Sequence, residues 1–135
     1  AIEHNTGFAP TAYLQFGDQS PTPKPRMTFR NNLGGNARYT YNSPLGDGAG
    51  MFSSYGIDLS GVTGSCIATS EPSIMPNGNV YQTSLSALGI VNPSGFSGDY
   101  RLSSSSPCRG RATDGSDPGV DIATLMSKTA RSVVQ

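Results

Sequence analysis

The run GDYRLSSSSPCRGRATDGSDPGVDIATLMSKTARSVV, Gly98 to Val134, decides how the rest of the chain is read. Tyr100 and Leu102 point to one side of a short strand and Arg101 to the other. Ser105 to Pro107 and Asp114-Gly115 are turns. Asp121 stands where a helix begins, its carboxylate suited to amide donors that have no partner within the first turn. Ile122, Leu125, Met126 and Val133 fall on one helical face. Lys128 and Arg131 sit toward the C-terminal end, where positive charge favours the helix dipole. A strand, two polar turns and an amphipathic helix at the end of a chain read as a terminator, a lid over something built upstream.

What is built upstream is bounded by the totals. A chain of 135 residues suits one domain. Its 17 glycines and 10 prolines, with only 13% charged residues, suggest many short strands joined by polar turns rather than disorder. Formal net charge is zero, which gives no broad attraction to nucleic acid or an anionic membrane. No apolar run approaches the roughly 20 residues of a membrane span. No signal peptide is recognisable, and Ala1 reads as a processed start or an artificial cut. Cys66 and Cys108 are disulfide candidates, 42 positions apart. Closing such a loop stabilises by about 4 kcal/mol in the chain-entropy model. The alternative is two small, partly buried thiols. His4 is the only histidine, and no Cys/His spacing supports zinc.

A repeat supplies the architecture. Ile2-Glu3-His4-Asn5 aligns with Phe29-Arg30-Asn31-Asn32 at an offset of 27. A further step of 28 brings Ile57-Asp58-Leu59-Ser60 under the same positions. Three copies of apolar–charged–x–Asn/Ser at such a period point to a solenoid. Strand-rich copies with polar turns favour a parallel β-helix, its coils stacked at about 4.8 Å. Apolar residues would stack inside, and Asn or Ser would stack at the bends, bonding to neighbouring backbone. A β-sandwich of short strands with one helix is the alternative fold. Thr11 to Phe16 and Ala37 to Ser43 alternate as strands, while Gly17 to Pro25 and Asn92 to Gly98 read as loops. Leu45 to Gly56 reads as a glycine-rich excursion with no helix. Without a helix or a Lys-Ser/Thr pair, GDGAG is not a phosphate loop. Pro76 to Asn79 is a turn, and Val80 to Leu88 is a strand or a short helical turn capped by Thr83 or Ser84.

The run Asp99-Tyr-Arg-Leu, Ser106-Pro107, Arg109-Gly110, Thr113-Asp114-Gly115, Asp117, Gly119 and Asp121 resembles the C-terminal end of bacterial right-handed parallel β-helix repeat proteins, a pectate-lyase-like group. Ile2 to Thr6, Phe29 to Asn32, Leu45 to Gly48 and Ser84 to Pro93 resemble the last coils of the same family, in the same order. The resemblance implies a single domain over 1–135, with coils and loops over 1–97 and a terminal strand, turns and capping helix over 98–135. It implies an extracellular, periplasmic or cell-surface protein that binds or processes polysaccharide. Enzymes of this group place substrate on an outer face of the solenoid, often with Ca²⁺-binding carboxylates and a basic residue, and no such catalytic motif is identifiable here. The second functional reading is a structural module without catalysis. The first coil shows no lid, so it would be exposed or covered by another chain, including a second copy of this one.

The repeat stacks Glu3, Arg30 and Asp58 in one outward column. That column is either a salt-bridge ladder or part of a substrate-binding face for an acidic sugar. Asp114, Asp117 and Asp121 lack the pattern of a calcium loop and read as turn and cap residues, so no cofactor is expected from the residues themselves. His4 sits at a bend, and Arg109 and Arg111 are placed to pair with Asp114 or Asp117. Tyr13, Tyr39, Tyr41 and Tyr55 are candidates for a sugar-stacking surface.

Overall fold

The structure, a computed structural model, describes residues 1–8, 12–19, 22–24, 26–35, 38–94 and 98–130. The readings above that fall on Thr11, Pro21, Pro25, Ala37, Arg131 and Val133 lie outside the described residues. The chain is mainly β. In order come β1 (Ile2–Glu3), β2 (Thr6–Phe8), β3 (Ala12–Gln15), β4 (Phe29–Arg30), β5 (Leu33–Gly35), β6 (Tyr39–Ser43) and β7 (Gly46–Asp47). Then follow α1 (Gly48–Ser54), β8 (Cys66–Ala68), β9 (Val80–Gln82), β10 (Ile90–Asn92), β11 (Asp99–Leu102) and α2 (Ile122–Thr129).

The sheets are mixed. β1–β4, β2–β5–β8–β9 and β3–β6 are parallel, whereas β6–β7 and β10–β11 are antiparallel. Ile2 faces Phe29, Thr6 faces Leu33 and Ala12 faces Tyr39, so the first two rungs keep the 27-residue offset along three separate ladders. The third rung departs from the offset of 28. Leu33 faces Cys66, a step of 33, because α1 and a 3₁₀ turn at Leu59–Gly61 are inserted between them. Ile57 is still buried, but Asp58 is in no strand and accepts the Ser60 N–H at 2.9 Å as the cap of that turn. The step from Cys66 to Val80 is only 14 residues.

Bends in register hold the rungs together. His4, Asn31, Gly64 and Gly78 all have positive φ, at 51°, 59°, 71° and 83°. For a residue with a side chain this conformation costs roughly 1–2 kcal/mol, so His4 and Asn31 need support. It comes one residue on, from a polar ladder. The N–H of Asn5 donates to Asn32 Oδ1 at 2.9 Å, that of Asn32 to Ser65 Oγ at 3.1 Å, and that of Ser65 to Asn79 Oδ1 at 2.9 Å. In the other direction Leu33 N–H donates to Asn5 O, Cys66 N–H to Asn32 O, and Val80 N–H to Ser65 O.

Two apolar clusters lie beside these ladders. Phe29, Tyr41, Met51, Phe52, Tyr55, Ile57, Val62, Ile67 and Met75 form one. Leu33, Cys66, Ala68, Leu88, Ile90 and Cys108 form the other, and it contains the Cys66–Cys108 disulfide. The expectation that no helix opens after Leu45 is corrected. α1 forms because Met51 and Phe52 are fully buried, and tertiary packing outweighs a glycine-rich start. Gly48 is required there, since a Cβ on it would lie 2.3 Å from Ile74 O.

The lid is corrected as well. α2 forms, and Asp121 caps it by accepting the Thr124 N–H, but the helix buries no residue and leaves Leu125 and Met126 exposed at 47% and 60%. The segment before it, residues 112–120, makes the long-range contacts. Thr113 N–H donates to Asn31 Oδ1 at 2.8 Å, Gly119 N–H to Asn31 O at 2.7 Å, and Val120 N–H to Thr6 Oγ1 at 3.0 Å. This strap runs beside the bends of the first rungs. It is short in apolar residues and docks through backbone groups, so hydrophobic periodicity gives no sign of it.

Candidate functional site

Between the strap, β11 and the first bend lies a cleft of about 550 Å³. His4, Tyr100, Arg101, Arg109, Asp117 and Asp121 supply its polar and aromatic lining. β11 fixes Tyr100 and Arg101 on neighbouring positions, and Tyr100 stacks on Phe8 of β2 at 5.1 Å between ring centroids. The disulfide anchors the segment carrying Arg109.

Each acidic group at or beside the cleft is held by donors of the protein. Asp99 receives a fork from Arg101, with Nε to Oδ1 at 2.9 Å and Nη2 to Oδ2 at 2.6 Å. That hydrogen bonding brings the Asp99 carboxyl down to about 2 and raises the Arg101 guanidinium. Asp117 takes Arg109 Nη1 at 2.6 Å on one oxygen and Gly110 N–H at 2.8 Å on the other. Asp121 takes the Thr124 hydroxyl and N–H, which hold its carboxyl below the ordinary range. Asp114 accepts from the Ser116 hydroxyl and N–H, which lower its pKa, while its other oxygen lies 3.2 Å from His4 Nε2. Asn31 Nδ2 also lies 3.2 Å from that ring nitrogen. The orientation of the Asn31 amide follows from its Oδ1 accepting Thr113 N–H. His4 Nε2 therefore accepts from Asn31 in one tautomer and donates to Asp114 in the other.

The donors are less fully used. Among the described residues Arg101 Nη1, Arg109 Nε and Arg109 Nη2 have no protein partner. The cleft thus offers fixed guanidinium donors whose orientation is set by engaged carboxylates, an arrangement suited to binding an acceptor-rich ligand.

The residues singled out from the sequence divide differently. Glu3 and Arg30 do pair across β1 and β4, with Arg30 Nε 2.9 Å from Glu3 Oε1 on a partly exposed face. Asp58 is not part of that column, for the register reason given above. The tyrosine surface is corrected for Tyr13, Tyr41 and Tyr55, while Tyr39 is exposed. Tyr41 and Tyr55 are fully buried, and Tyr13 packs edge-on against Phe29. These rings build the core, and burial pushes the Tyr41 and Tyr13 hydroxyls up. Arg109 pairs with Asp117, whereas Arg111 donates to Pro107 O. Arg101, read only as a strand residue, and Asp99, named only within the resembling run, are the contributors sequence reasoning missed. Their i, i+2 spacing on one strand face is the signal that points to them.

Among the described residues no group of His, Cys, Asp and Glu is arranged to hold a metal ion, and no helix is long and apolar enough to cross a membrane. No family model matches the chain, and neither curated proteins nor solved structures include a significant match.

Proposed function

We propose that the parallel rungs are coils of a short β-helix whose closing segment builds a binding cleft for an acidic, uronate-type polysaccharide. The stacked left-handed bends and the Asn5–Asn32–Ser65–Asn79 ladder support the β-helix reading, since both go with rungs in parallel register, while the antiparallel β6–β7 and β10–β11 pairs suit a sandwich of short strands at least as well. The observation that carries the binding reading is the asymmetry of the cleft: its carboxylates are engaged by the protein, while Arg101 and Arg109 keep outward donors. A sugar carboxylate matches a guanidinium fork, and the ring hydroxyls match the remaining polar groups. The disulfide supports an oxidising compartment, outside the cell or in the periplasm.

Titration with polygalacturonate, alginate and a neutral glucan, with and without Ca²⁺, tests this reading. Uronate polymers bind and the neutral glucan does not, binding weakens in about 0.5 M salt, and Arg109→Gln lowers affinity by about tenfold or more. Equal binding of neutral and acidic polymers, or none, overturns it. In the latter case the chain is a structural module, a reading favoured by the same internal pairing of its charges.

A further inference from the structure

β1, β2 and β3 are each the terminal strand of a parallel ladder, so all three carry an open backbone edge among the described residues. The polar ladder shows what that edge is made to take. Every internal junction uses the same two bonds on the residue that follows the bend. In the first junction Asn5 N–H donates to Asn32 Oδ1 while Asn5 O accepts from Leu33 N–H. The second repeats this, with Asn32 N–H to Ser65 Oγ and Cys66 N–H to Asn32 O. The third does so again, with Ser65 N–H to Asn79 Oδ1 and Val80 N–H to Ser65 O.

Carried one step further, the pattern leaves a matching pair on the open side. Asn5 Oδ1 is the equivalent acceptor, and it has no donor among the described residues. Thr6 N–H is the equivalent donor. In a parallel ladder successive N–H groups alternate in direction, and Thr6 sits in the register position of Leu33, whose N–H reaches the preceding rung. The two groups form a clamp for one backbone residue, receiving its N–H and donating to its C=O.

We propose that the edge of β1–β3 is a docking surface for one further parallel rung of extended chain, keyed by Asn5 Oδ1 and Thr6 N–H at its bend. A second copy approaching edge to edge about a two-fold axis meets β1–β3 antiparallel. Asn5 Oδ1 then has no N–H in the register position, so that occupant does not satisfy the clamp.

The test extends the chain by duplicating residues 1–27 in front of Ala1, which sets a copied Asn5 one rung before the original at the observed 27-residue step. Hydrogen exchange at the Thr6 amide of the original unit is then followed, together with thermal stability. Docking slows exchange of that amide by about tenfold or more and raises the melting temperature. Asn5→Ala in the original unit reverses both gains in the extended chain, a larger loss than in the unextended chain, where it removes only the Nδ2 bonds to Glu3 O and Asn32 Oδ1. Unchanged Thr6 exchange with a protease-sensitive copy overturns the proposal. So does a concentration-dependent dimer of the unextended chain with Thr6 already protected, which assigns the edge to a second copy.

Discussion

Asn31 and Thr113 stand 82 residues apart in sequence and are joined by a 2.8 Å hydrogen bond from the Thr113 N–H to the Asn31 side-chain oxygen. Asn31 also accepts Gly119 N–H on its own carbonyl and donates its own N–H to Thr63 O. One buried residue in a left-handed bend therefore ties the strap to two successive rungs. Asn31→Gly keeps the bend, since glycine adopts positive φ freely, but removes the side-chain oxygen. The expected loss is about 1–3 kcal/mol, the cost of leaving a partly buried N–H unmet. Faster hydrogen exchange over residues 112–119, with exchange in β5 and β8 nearly unchanged, distinguishes release of the strap from general unfolding.

The disulfide adds a second tie between the same regions. Cys66 lies in β8 and Cys108 at the start of the segment that leads to the strap, and both are fully buried. Replacing both by alanine removes the cross-link without leaving free thiols. Guanidinium titration is expected to show a loss of about 2–5 kcal/mol. A double variant as stable as the parent under the same conditions contradicts this account of the cross-link.

Charge pairing near the cleft sets the response to acid. The Asp99 carboxyl titrates near 2 in the folded chain, below the 3.8 of the unfolded one, because Arg101 bonds its ionised form. The unfolded chain therefore binds the proton first as pH falls. The contribution is complete above about pH 4 and is lost as pH drops toward 2. Asp114 and Asp121 are lowered in the same direction by their hydroxyl and amide donors. Stability measured by urea titration at several acidic pH values is expected to decline through this window, and Asp99→Asn flattens the decline. An equal decline in the variant assigns it to the other carboxyls.

The repeat was legible because four consecutive positions carry it. Ile2-Glu3-His4-Asn5 and Phe29-Arg30-Asn31-Asn32 combine a buried position, an exposed ion pair, a bend and a ladder residue, and these constraints act at one spacing. Its third copy was misread because Ile57 and Asp58 imitate the pattern inside an insertion. The true rung, Ser65-Cys66, shows only a small polar residue before an apolar one. α1 was hidden for a different reason: Gly46 and Gly48 argue against a helix locally, and burial of Met51 and Phe52 overrides them. The cleft was least legible, since the strap that closes it docks on Asn31 and Thr6 through its own backbone N–H groups, which leave no pattern in side-chain polarity.

Packing of α1 makes that override measurable. Phe52 is fully buried, and its ring lies 5.0 Å from Tyr41 and 6.4 Å from Phe29, centroid to centroid. Phe52→Ala removes the anchor of a helix that has little intrinsic propensity. The expected loss is about 3–5 kcal/mol, with accelerated exchange over residues 48–54 before the β ladders open. Phe52→Leu keeps most of the volume and is expected to cost markedly less.

α2 responds in the opposite way if its apolar face is uncovered. Asp121 holds the first turn through Thr124, and Asp121→Ala removes that cap, costing about 0.5–2 kcal/mol of helix stability. Leu125 and Met126 remain largely exposed, so little tertiary packing is coupled to the helix. The loss is therefore confined to α2. Exchange at the Leu125 amide, which bonds Asp121 O, rises several-fold. The global unfolding midpoint moves by no more than about 0.5 kcal/mol in free-energy terms, as for other surface changes. A fall of several kcal/mol in global stability means that α2 covers the stack after all, and that the strap is only its tether.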